Sequence, residues 1–70
     1  MEARKRVGVN IQRLRREADL SQEELGDRAN VHQTYLSQVE GGKRNPSVDV
    51  LERIAKALKV DIAEFFKKTR

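Results

Sequence analysis

Apolar residues recur at helical spacing along almost the whole chain. Val7, Ile11, Leu14 and Ala18 fall three or four residues apart, which lines them along one face of a helix over about Ala3 to Glu17. The other faces of that segment are basic and polar. Ser21 and Glu24 have the spacing of a capping box, in which each side chain bonds the other's free backbone N–H. Leu20 and Leu25 flank the cap as a hydrophobic staple, so a second helix is predicted from Ser21 to about Ala29. Asn30 follows, a residue that tolerates the left-handed conformation used to leave a helix. Val31 and Leu36 repeat the staple spacing around His32, which places a third helix from about Gln33 to Glu40. Gly41 and Gly42 stop it. Lys43 to Pro46 reads as a loop, because the residue before a proline avoids the helical region. Ser47 then caps a fourth helix whose inner face is Val48, Leu51, Ile54, Ala55 and Leu58. Val60, Asp61, Glu64 and Phe65 repeat the cap and staple once more, predicting a fifth helix from about Ile62 to Lys67. No stretch alternates as a strand would. The pattern predicts an all-α, compact five-helix fold, with residues 1–70 forming one domain.

Helices two and three are separated by about three residues. So short a link forces a sharp crossing, the geometry of a helix-turn-helix unit. A generic helical hairpin has the same periodicity, so spacing gives a fold class and not a function.

Composition narrows the options. A chain of 70 residues buries only about 60% of its unfolded surface, so the helices must pack well or a second subunit must help. There is no cysteine, which excludes disulfides and thiolate metal sites and makes a reducing cytoplasm the expected compartment. No apolar run is long enough to span a membrane, and no charged-then-apolar leader opens the chain, so secretion is not expected. Fifteen Lys and Arg against eleven Asp and Glu give a net charge of +4. That balance suits a polyanion partner, although a solvated charged surface gives it too. The basic groups cluster at Arg4, Lys5, Arg6, Arg13, Arg15 and Arg16, at Lys43 and Arg44, and at Lys67, Lys68 and Arg70. Many acids fall where helices start, as the helix dipole favours.

Five segments carry a family resemblance: Leu-Ser-Gln-Glu-Glu-Leu at 20–25, Thr-Tyr-Leu-Ser-Gln-Val-Glu at 34–40, Arg-Asn-Pro-Ser at 44–47, Ile-Ala-Lys-Ala-Leu at 54–58, and Val7, Gly8, Ile11, Leu14 and Arg15 in the first helix. In order and at this spacing they resemble the Cro and phage-repressor (Xre-like) type of helix-turn-helix domain, with its lambda-repressor-like DNA-binding fold. The 34–40 and 44–45 segments also resemble restriction-modification controller proteins. Four positions depart from the family pattern. His32 stands at a capping position where Ser or Thr is usual, and Asn30 replaces a turn glycine. Gly26 replaces a packing alanine, at an expected cost of about 1 kcal/mol inside a helix. Gly41 stands where a longer polar or basic residue often reaches the DNA backbone.

The resemblance implies roles. The third helix would lie in the major groove of double-stranded DNA, with Gln33, Thr34, Ser37 and Gln38 facing base edges. A glutamine can bond adenine through both amide groups, and a Thr methyl can touch a thymine methyl. Gln22, in the first turn of helix two, would contact phosphate or brace Gln33. Tyr35, Lys43, Arg44 and Asn45 would contact phosphates, Asn45 alternatively holding its own loop. Arg15 and Glu40 would form an internal ion pair. Ile62, Phe65 and Phe66 make an apolar face too wide for one tiny core to absorb, which points to a symmetric homodimer on a roughly palindromic site.

Other functions fit less well. One histidine and no cysteine give neither a nucleophile–base pair nor a metal site, so no enzyme, metal or cofactor is expected. No effector pocket is visible in the sequence. Three aromatic residues, Tyr35, Phe65 and Phe66, make no stacking platform for single strands or RNA. An antitoxin or an interaction adaptor on the same fold is the alternative reading, although an antitoxin needs a partner-binding segment and little chain lies outside the five helices.

Overall fold

Every helix after the first begins where a side chain satisfies a free N–H group; the first starts at Glu2 with no side-chain cap. In the computed structural model, which describes residues 2–68, the elements are α1 (Ala3–Glu17), α2 (Gln22–Ala29), α3 (Gln33–Glu40), α4 (Val48–Leu58) and a 3-10 helix (Ile62–Phe66). The capping box forms: the Ser21 hydroxyl accepts from the Glu24 N–H at 3.0 Å, and the Ser21 N–H donates to the Glu24 carboxylate at 2.9 Å. Those bonds from Ser21 hold the Glu24 carboxyl below its ordinary value. Its contribution to stability is therefore present above the ordinary carboxylate range and is lost as pH falls through the lowered value. Ser47 caps α4 through the Val50 N–H at 3.1 Å, and His32 caps α3 through Nδ1, which accepts from the Thr34 N–H at 3.2 Å. That cap puts the neutral ring's proton on Nε2.

The four α-helices all end in one device. In each, a residue in the left-handed region turns the chain, and two backbone N–H groups reach back to the last carbonyls, as in a Schellman motif. Leu20, Val31, Lys43 and Val60 donate to Arg15, Gly26, Gln38 and Ala55 respectively. The turning residues are Asp19 (φ 62°), Asn30 (φ 58°), Gly42 (φ 75°) and Lys59 (φ 60°). Only one is glycine, so three L-residues carry the steric cost of this conformation.

Ile11, Leu25, Leu36, Ile54 and Phe65 are fully buried and form the centre of the core. Three expectations need correction. Val48 is 67% exposed and stands outside the core, because α4 turns Leu51, Ile54, Ala55 and Leu58 inward. Ala18 lies exposed beyond the end of α1, while Arg15 is buried on the face it was expected to extend. The expected fifth α-helix is a 3-10 helix of five residues. Asp61 Oδ1 accepts from the Ala63 N–H at 2.8 Å and the Glu64 N–H donates to the Asp61 carbonyl at 2.9 Å, which tightens the turn. The Phe65 and Lys67 carbonyls accept from the Asn10 side chain, so the chain leaves the turn in an extended conformation at Lys67.

Two glycines mark close passages. A Cβ at Gly8 would lie 2.5 Å from the Val39 carbonyl oxygen, so α1 meets the end of α3 backbone to backbone. A Cβ at Gly26 would lie 2.6 Å from the Val31 carbonyl oxygen. Helix propensity treated Gly26 as a liability; the turn between α2 and α3 instead requires it. Gly26→Ala therefore lowers stability in denaturant titrations, by about 1–3 kcal/mol, against the sign that propensity gives. Lys59→Gly raises it by about 0.5–1 kcal/mol, by relieving a left-handed L-residue.

Candidate nucleic-acid interface

Helix α3 is divided along its length. Leu36 and Val39 are buried against the other helices, while Gln33, Thr34 and Ser37 are exposed and Tyr35 and Gln38 are half-buried. Gln33, Thr34, Ser37 and Gln38 were expected on this edge; the first three are exposed, and Gln38 lies half-buried at its far end. What aims the edge is the fixation of α3 at both ends: the His32 cap at its start and Glu40 at its close.

Glu40 is the hub of a buried network. Arg15 Nε donates to Glu40 Oε2 at 2.7 Å and Arg15 Nη2 to Glu40 Oε1 at 3.0 Å, a two-pronged pair. The two side chains are 10% and 2% exposed. Arg15 Nη1 also donates to the Leu20 carbonyl at 2.8 Å, tying the turn before α2 to the same pair. Gln22 Nε2 donates to Glu40 Oε1 at 3.0 Å. The amide of Gln22 is thus held by Glu40, not placed on Gln33 as one sequence expectation had it. It remains half-buried at the first turn of α2, beside the free N–H groups that suit an anion.

The loop after α3 folds back over it. Lys43, Arg44 and Asn45 are exposed. Arg44 Nε donates to Gln38 Oε1 at 2.8 Å, and the Arg44 guanidinium carbon stands 5.5 Å from the centre of the Tyr35 ring. A cation over a ring at that distance contributes about 0.5–1 kcal/mol at an exposed site. Tyr35, Gln38 and Arg44 are therefore one contiguous surface.

The apolar face assigned to a dimer divides differently from expectation. Phe65 is 0% exposed within one chain and fills the core, so it is not available to a partner. Ile62 is half-buried, and Phe66 is 48% exposed. Phe66 and Val48 line one shallow groove of about 190 Å³ with Val7, Pro46 and Leu51. In the basic cluster at the end of the chain, Lys67 pairs with Glu64 at 3.1 Å, while Arg70 lies outside the described residues. Among the described residues no three His, Cys, Asp or Glu side chains gather as around a metal ion, and no helix is long and apolar enough to cross a membrane.

Sequence reasoning missed Asn10. It is fully buried, and its Nδ2 donates to the Phe65 carbonyl at 2.8 Å and the Lys67 carbonyl at 2.9 Å. Its signal was a polar residue at core spacing between Val7 and Leu14. Asn10 anchors the 3-10 helix to α1 and so sets where Phe66 emerges.

A short helix held by one edge, close behind another and with its polar edge open, defines a helix-turn-helix domain. A family model described as helix-turn-helix (HTH_3) matches residues 11–65, and the chain belongs to that family. It is 48% identical over 69 residues to the uncharacterised HTH-type transcriptional regulator y4dJ of Sinorhizobium fredii, covering 99% of this chain and 90% of that protein. It is 40% identical over 62 residues to the control protein C.MunI of a Mycoplasma species, covering 87% and 84%. Its fold is similar to the crystal structure of the restriction-modification controller protein C.AhdI from Aeromonas hydrophila, with a TM-score of 0.88 and 32% identity over 90% of this chain and 96% of that one.

The buried pair makes a measurable claim on stability. Glu40→Ala strands the Arg15 guanidinium and frees Gln22, and is expected to cost about 3–5 kcal/mol in denaturant titrations.

Proposed function

We propose that this chain is a sequence-specific double-stranded DNA-binding transcriptional regulator, not an enzyme, and that it binds a roughly palindromic operator as a homodimer. The observation that carries this reading is the division of α3: Leu36 and Val39 anchor it, while Gln33, Thr34 and Ser37 stand open along the opposite edge. Placed in the major groove, that edge offers amide and hydroxyl groups to base edges. Gln22 and the free N–H groups of α2 take a phosphate, Tyr35, Lys43 and Asn45 take others, and Arg44 adds positive charge beside them. Membership of the helix-turn-helix family and likeness to transcriptional regulators and control proteins support the same reading. The half-exposed Phe66 and the partly exposed Ile62 supply apolar surface for a second copy, with Phe65 kept inside each domain. A symmetric pair puts two α3 helices about one DNA turn apart.

Selection of bound sequences from random duplex DNA tests binding, symmetry and specificity together. The expected product is an inverted repeat. Gln33→Ala changes the preferred sequence, whereas Lys43→Ala weakens all duplexes alike and reduces the salt slope by about 0.9. A Gln33→Ala variant that selects the same sequence as the parent removes α3 from its role as reader.

A further inference from the structure

We infer that Arg44 and Gln38 act as one unit that selects guanine over adenine, an inference that rests on α3 being the DNA-facing helix. The Arg44 Nε–H can only donate, so the Gln38 atom facing it at 2.8 Å is the amide oxygen. The pairing is built by the backbone. Gly42, at φ 75°, turns the chain, the Lys43 N–H bonds the Gln38 carbonyl at 2.8 Å, and Arg44 is delivered back over α3. The Tyr35 ring, 5.5 Å from the guanidinium carbon, holds it as well.

This changes what Gln38 can read. A glutamine recognises adenine by setting its oxygen against the base's N6 amino group and its nitrogen against N7. Here the oxygen faces Arg44 Nε, and the groups beside it that this bond leaves uncommitted are the amide N–H pair and the terminal nitrogens of Arg44. All of them are donors. Guanine offers two acceptors, N7 and O6, to such a surface; adenine places an amino group against donors and gains no partner for it. Gln38 alone suits adenine, and Gln38 held by Arg44 suits guanine. Arg44 is thus a specificity-determining residue as well as a source of positive charge.

The test is a comparison of duplexes selected by the parent protein, Arg44→Ala, Gln38→Ala and the double variant, each checked by its thermal melt. Both residues are outside the core, so the fold survives each change. The parent should prefer guanine over adenine about tenfold or more at one position of the site. Arg44→Ala should lose that preference at that position alone and move toward adenine as the Gln38 amide is released. The double variant should show neither preference. The inference is overturned if Arg44→Ala keeps every base preference and only weakens binding, which is the behaviour of a phosphate contact. A parent that already prefers adenine there overturns it as well. A parent with no sequence preference at any position takes down the reading of α3 itself, a result distinguishable from the other two.

Discussion

The ion pair between Arg15 and Glu40 is the constraint from which the rest of the arrangement follows. Glu40 is the last residue of α3, where the helix dipole disfavours a carboxylate, and it is almost fully buried. Unpaired, it would be among the most destabilising groups in a domain this small. Arg15 satisfies it with two bonds and gives a third to the Leu20 carbonyl, so the charge is tolerated only when α1, the turn before α2 and the end of α3 meet in one geometry. The absence of a side chain at Gly8 lets α1 come close enough for that meeting. Gln22 is the fourth member, and through it the interior network reaches the proposed DNA face. Stability and the aim of α3 therefore share one cause.

The turns are the second structural theme. Four helices in so short a chain leave little room for connections, and the same left-handed turn closes each helix. The turn after α2 draws Val31 against Gly26 and sets the sharp passage into α3. The turn after α3 sends Arg44 back onto Gln38 and Tyr35. The connections are thereby part of the surface that α3 presents.

Much of this was legible in the sequence because it was written in local patterns. The capping box at Ser21 and Glu24, the cap at Ser47, the periodicity of α1 and the split between Leu36 and Val39 and their polar neighbours are all short-range signals. The unread parts depend on what a residue meets from far along the chain. Gly26 looked like a helix defect because propensity does not register the Val31 carbonyl opposite it. Lys59 gave no sign of a left-handed turn, since lysine does not favour one, and Asp19, which tolerates it, stood in no turn pattern that marked it. Val48 fits an apolar stripe by spacing, but its position at the first turn of α4 carries it past the edge of the core. The last turn tightened into a 3-10 helix around the Asp61 cap, and its exit was fixed by Asn10, more than fifty residues earlier, which donates to the Phe65 and Lys67 carbonyls. At the candidate site, sequence supplied the exposed residues of α3, and only geometry supplied their partners: Glu40 for Gln22 and Arg44 for Gln38.

The central claim is that the buried pair aims the DNA face as well as holding the fold. Replacing both partners, Arg15→Met with Glu40→Met, separates the two roles, because an apolar substitute of similar volume restores packing without orienting Gln22. The account predicts a double variant that melts close to the parent but binds its preferred duplex more weakly, to the level of Gln22→Ala. A double variant that binds as tightly as the parent would contradict it, and would leave the pair as a structural fastening with no hold on recognition.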